Sequence, residues 1–162
     1  LLNELKHARY LDLIRRLQQA PQDPTAVEST VTLRDVAKQE FTKLRNAIRQ
    51  AGHTPNNATI HDTRIKTKRA RYAAELAEPM VGKPATRFID KARVVQDVLG
   101  MHQDAIQAEA YIRTFLKQST STRGAFVAGR MVERQRQRRE KARGKMQRLL
   151  RGLIKLGEKA WG

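Results

Sequence analysis

Apolar residues recur at three- and four-residue steps along most of this chain, without the strict alternation that marks strands. Leu33, Ala37, Phe41, Leu44 and Ile48 fall on one face of a helix, as do Phe88, Ala92, Val95 and Leu99. The second pattern resumes after Gly100 through Ala105, Ala108, Ile112 and Phe115, so Gly100 is expected to mark a kink. Breakers separate these stretches: Pro21 and Pro24, Gly52 and Pro55, then Pro79, Gly82 and Pro84. The pattern predicts helices over 1–20, 33–51, 58–78, 84–118 and 122–158, with Asp35, Asn57, Thr59 and Ser121 as polar starts. Long helices joined by short connections bury narrow stripes against antiparallel neighbours. The expected fold is therefore all-α, an antiparallel bundle of long helices forming a single helical domain over 1–162. The opening Leu1-Leu2-Asn3, already in helical pattern and without Met, is read as the interior of a longer protein whose N-terminal part is missing.

Charge changes the picture from fold to partner. The 162 residues carry 33 Lys and Arg against 16 Asp and Glu, a net +17, which calls for a polyanionic partner. At 40% hydrophobic residues the chain still supports a modest core. With no cysteine, disulfides, thiolate metal sites and a cysteine nucleophile are excluded. His7, His53, His61 and His102 lack metal-ligand spacing, and no G-x-x-x-x-G-K-S/T loop or acidic cluster suits phosphoryl transfer. Ser29, Ser119 and Ser121 stand outside any nucleophile motif. No catalytic residue, metal or cofactor is assigned, and enzymatic activity is not expected. No apolar run approaches the roughly 20 residues that span a bilayer, and no signal peptide is visible, so a cytoplasmic protein without a membrane partner is expected.

The cations are patterned. His61, Arg64, Lys68 and Arg71 project within an arc of about 80° on a helix, beside an apolar strip of Ile65, Tyr72 and Leu76. Helical charge runs are usually solvated faces, but such faces intersperse acids at i, i+4, whereas residues 64–71 hold five cations and no acid. Arg34, Lys38, Arg45 and Arg49 form a second stripe within about 60°, to one side of the Phe41 face. Antiparallel packing would let both stripes flank a common groove; alternatively, they face opposite sides. The segment 130–148, with nine Lys or Arg, reads as a solvent-exposed helix that extends the positive field, and Trp161 as a terminal packing residue.

His61-x-x-Arg64-x-x-x-Lys68-Arg69-x-Arg71-Tyr72-x-x-Glu75-Leu76, followed by Arg93-x-x-Gln96-Asp97-x-Leu99-Gly100-x-x-x-Asp104, resembles the CHAD family, the histidine-marked α-helical domain. Such domains have two similar helical halves around a basic channel, and the resemblance here, over most of the chain, is to the second half. It implies non-catalytic binding of inorganic polyphosphate and association with polyphosphate granules. The alternating glutamates of fused triphosphatase domains are absent from these residues, so hydrolysis does not carry over. Under this reading Arg64, Lys68 and Arg71 contact phosphates directly, with Arg69 and Lys66 as outer contributors. His61 donates to a phosphate oxygen and strengthens when protonated. Arg93 reaches the same groove, joined by the stripe of Arg34, Lys38, Arg45 and Arg49, while Gln96 and Asp104 orient these contacts. Tyr72, Leu76 and Leu99 are assigned to packing. Nonspecific RNA or DNA binding is the alternative, disfavoured because only 5% of residues are aromatic and few bases can stack. Docking on an acidic protein comes third, and the oligomeric state stays open.

Overall fold

The first helical turns are set by side-chain caps. The structure, a computed structural model, describes residues 30–117 and 121–162, together with 12, 14–16 and 18. Helix α1 is Leu33–Ala51, α2 Asn57–Val81, α3 Lys83–Leu116 and α4 Thr122–Trp161. Thr32 opens α1 in a capping box: its Oγ1 accepts from the Asp35 amide at 3.1 Å, and the Asp35 carboxylate accepts from the Thr32 amide at 3.1 Å. The Thr32 hydroxyl, which also donates to the Asp35 carboxylate at 2.6 Å, and then the Thr32 amide hold that carboxyl below its ordinary pKa. Asn56 caps α2 and Ser121 caps α4. Gly82 alone joins α2 to α3, at φ +72°, where an L side chain is disfavoured. No strand occurs among the described residues.

The chain divides into two compact units, 1–30 and 31–162, where the sequence suggests one domain over 1–162. In the first, 12, 14–16 and 18 are helical, and Arg16 pairs with Asp12 at 2.8 Å. The rest of the helix expected over 1–20, with His7, Pro21, Pro24, Ser29 and Ser119, lies outside the described residues. In the second unit successive helices pack as neighbours, and α4 returns against α1. Phe41, Leu44, Phe88, Ala92, Val95, Leu99, Leu153 and Trp161 fill the centre. Phe88 meets Phe41 and Trp161 edge-on, with centroids 5.8 and 6.2 Å away.

Several expectations fail on which residues go inside. The buried face of α2 is Ile60 at its start and then only Thr63, Thr67, Ala70, Ala73, Ala74 and Ala77, while Ile65, Tyr72 and Leu76, the last two assigned to packing, are exposed. Small residues bring the neighbouring helices close. The two threonines bury their hydroxyls by donating to the carbonyls of Thr59 and Thr63 at 2.8 and 2.7 Å. Phe115, read as core, is exposed. The segment 130–148 is mostly exposed, as its charge suggests, but buries Val132, Gln135, Ala142 and Met146. Helix α3 runs unbroken through Gly100.

Candidate functional site

The inward Thr and Ala face of α2 turns the arc of His61, Arg64, Lys68 and Arg71 toward the outer edge of its seam with α3. At one level of the seam a Cβ on Gly100 would stand 4.0 Å from Arg64 Nε, so the arginine lies across the α3 backbone. About three turns along, Glu75 of α2 accepts from Arg71 at 2.5 Å and from Arg93 of α3 at 3.1 Å. Asp90 takes the other terminal nitrogen of Arg93 at 3.4 Å. Arg71 also stacks over Tyr72, its guanidinium carbon 4.4 Å from the ring centroid, with Lys68 at 5.6 Å. Arg64 and Arg71 are half-buried, each with an Nε enclosed and without a partner among the described residues. Arg64, Lys68, Arg71 and Arg93 therefore line one seam on two helices, with Glu75 holding two of them in a fixed fork.

Other predicted residues are distributed less tightly. His61 is exposed one turn before Arg64, at the head of the stripe. Lys66 is paired with Asp62, and Arg69 stands exposed about 100° around α2 from Lys68, away from the seam. Gln96 is half-buried on α3 with its Nε2 enclosed and unpartnered among the described residues, and Asp104 is exposed. The carboxylates that hold the seam arginines are Glu75 and Asp90. The stripe on α1 does not join this groove. Arg49 pairs with Glu158 of α4 at 3.7 Å, and Arg45 lies over Phe41, whose ring abuts Gly157 of α4. Arg34 and Lys38 are exposed on that same helical edge. With neighbours in the order α1, α2, α3, α4, the α1 edge toward α4 and the α2 edge toward α3 lie on opposite sides. Periodicity sets the angle of a stripe about its own helix, but not the neighbour it meets.

The sequence reading missed the buried polar junction. His102 on α3 is fully enclosed and accepts from Arg143 Nε of α4 at 3.2 Å, while the same guanidinium donates to Asn57 at the start of α2 at 3.1 Å. Burial first, and Arg143 second, push the His102 pKa down. With Nε2 accepting, a neutral ring carries its proton on Nδ1, which is enclosed without a partner among the described residues. Glu109 gathers Arg113, Arg136 and Arg139 at 2.8, 3.5 and 3.4 Å, which holds its carboxyl below the ordinary range. A signal for Glu75 was present in its i+4 spacing from Arg71. The His102 junction spans three helices and has no local signal. Among the described residues no cluster of His, Asp and Glu suits a metal ion, and no helix is long and apolar enough to cross a membrane.

The family model of the CHAD domain matches residues 1–113. Two proteins of Mycobacterium tuberculosis, from strains CDC 1551 and H37Rv and both named only as uncharacterized, are each 27% identical to this chain over 166 residues. The match covers 98% of this chain but only 31% of either relative, so the chain spans about a third of their length.

Proposed function

Because this chain belongs to the CHAD domain family, we propose that it binds inorganic polyphosphate without catalysis, at the α2–α3 seam. The observation that carries this reading is the alignment of Arg64, Lys68, Arg71 and Arg93 along one seam, two of them braced by Glu75. A linear polyanion without bases needs fixed cations and donors at intervals along its length. From Arg64 to Arg71 the backbone rises about 10 Å, and His61 extends the row to about 15 Å, so several phosphates engage at once. Tyr72 is the one aromatic on the stripe itself, and Arg71 and Lys68 lie over its ring. So few aromatic faces among the cations favour polyphosphate over nucleic acid. Cytoplasmic residence, with recruitment to polyphosphate granules, follows from the same reading.

The decisive experiment is competition between long-chain polyphosphate and RNA of matched charge, read by anisotropy over a salt series. Polyphosphate should displace RNA. Its affinity should fall steeply with salt, because each neutralised phosphate releases a counterion, and should rise with chain length well beyond a triphosphate. RNA binding at least as tight, or ATP binding as tightly as long polyphosphate, overturns the reading.

A further inference from the structure

Helices α3 and α4 are 34 and 40 residues long, whereas α1 and α2 are 19 and 25. Arg143 bonds Asn57 at the start of α2, and Gln147 bonds the carbonyls of Gly52 and His53. Beyond that level, among the described residues of the second unit, only α3 and α4 continue. They form a two-helix projection over 103–116 and 122–142.

A pair of helices cannot enclose its own apolar side, and the consequence is visible here. An open groove of about 1190 Å³ runs between the two helices near the tip. Its lining includes the small Ala110, Gly124 and Ala128 and the large Tyr111, Phe115 and Met131. Tyr111 is 83% exposed and Phe115 67%, which is unusual for large apolar side chains in contiguous array. Early in α4 Phe126 is also 67% exposed and lines a second hollow together with Val127 and Met131.

The occupant is indicated by shape and charge together. An open groove between two helices, lined by small and by large apolar residues, has the form that receives a third helix. Arg123 lines the groove, and Arg130 and Arg134 line the adjoining hollow with a single acid, Glu133; none of these three arginines makes an ion pair among the described residues. The nearest carboxylate on α3, Glu109, is already surrounded by three arginines. A second copy of this chain would bring the same unpaired cations against these, so self-association is opposed. We propose that the α3–α4 tip is a docking groove for an amphipathic helix of a partner protein whose apolar stripe is flanked by Asp or Glu.

The test uses the full chain and two labelled amphipathic peptides of about 18 residues, about 27 Å as a helix. Both carry the same Leu stripe; one has Glu flanks and the other Lys flanks. Anisotropy should show binding of the Glu-flanked peptide only. The double substitution Tyr111→Ser and Phe115→Ser leaves the net charge unchanged and, at exposed positions, leaves the helical circular dichroism intact. It should weaken that peptide about tenfold or more while polyphosphate affinity stays the same. The proposal fails if the double variant binds the Glu-flanked peptide as well as the parent does, since charge alone would then explain capture. It also fails if both peptides bind equally or neither binds. Sedimentation showing a parental dimer that the double variant dissolves assigns the groove to a second copy and overturns it too.

Discussion

Gly157 of α4 lies directly against the ring of Phe41 of α1: a Cβ at this position would stand 2.0 Å from Phe41 Cε2 and 2.5 Å from its Cδ2 and Cζ. The ring has no room to retreat, because it packs edge-on against Phe88 in the centre of the bundle. In an open helix Gly→Ala is stabilising by about 1 kcal/mol. Here the sign reverses. Gly157→Ala should cost about 2 kcal/mol or more through overpacking and lower the melting temperature by several degrees, measured by thermal circular dichroism. Gly144, where a Cβ meets nothing within 4 Å, is the control and should hold or gain stability as Ala.

Glu75 has two effects on the seam that two substitutions separate. Its charge opposes an incoming anion, while its oxygen orients Arg71 and Arg93. Glu75→Gln and Glu75→Ala remove the same charge, but only Gln keeps an acceptor. Polyphosphate affinity should therefore be several-fold higher for Gln than for Ala, on the scale of one partly exposed charge-assisted hydrogen bond of about 1 kcal/mol. Equal affinities in a titration would remove the orienting role.

Position should outweigh charge. Replacing Arg64, Lys68 and Arg71 by Ala is expected to weaken polyphosphate binding about tenfold more than replacing Arg136, Arg138 and Arg139, although each triple removes three cations. Arg136 and Arg139 already face Glu109, so their removal takes less from the field available to a ligand. Equal losses, measured at one ionic strength, would indicate a generic basic surface.

The two histidines should be told apart by different observables. His102 has its pKa lowered by burial and by Arg143, so between its folded value and the ordinary 6.5 the unfolded chain binds more protons. Its contribution to stability is complete above about pH 6.5 and is lost as pH falls through the folded value. Asp35 and Glu109, also lowered, lose theirs only in the more acidic carboxylate range. Melting temperature should thus decline between about pH 7 and 5, and His102→Gln should flatten that slope. His61 is exposed, so His61→Ala should leave the melting curve unchanged. It should instead weaken polyphosphate binding at a fixed pH, through loss of a donor at the head of the stripe. Unaltered affinity would remove His61 from the site.

Periodicity and breakers alone determined the helical class, four helix spans to within a few residues at either end, and the core roles of Phe41, Leu44, Phe88, Val95 and Leu99. They also revealed the stripe of Arg64, Lys68 and Arg71 and the resemblance it carries. These are properties of one helix at a time, because 3.6 residues per turn fixes angles about a single axis. Tertiary structure decided how those axes are arranged. It turned the cations of α1 toward α4 instead of toward the α2–α3 seam, and coupled Arg93 to Arg71 through Glu75. It brought His102, Arg143 and Asn57 together across three helices. It also inverted the expected burial on α2, leaving Tyr72 and Leu76 outside while Thr67 and Ala74 are enclosed. Hydrophobicity ranks side chains by their gain on leaving water, but close helix approach selects the smallest, and that choice depends on a neighbour no local pattern identifies.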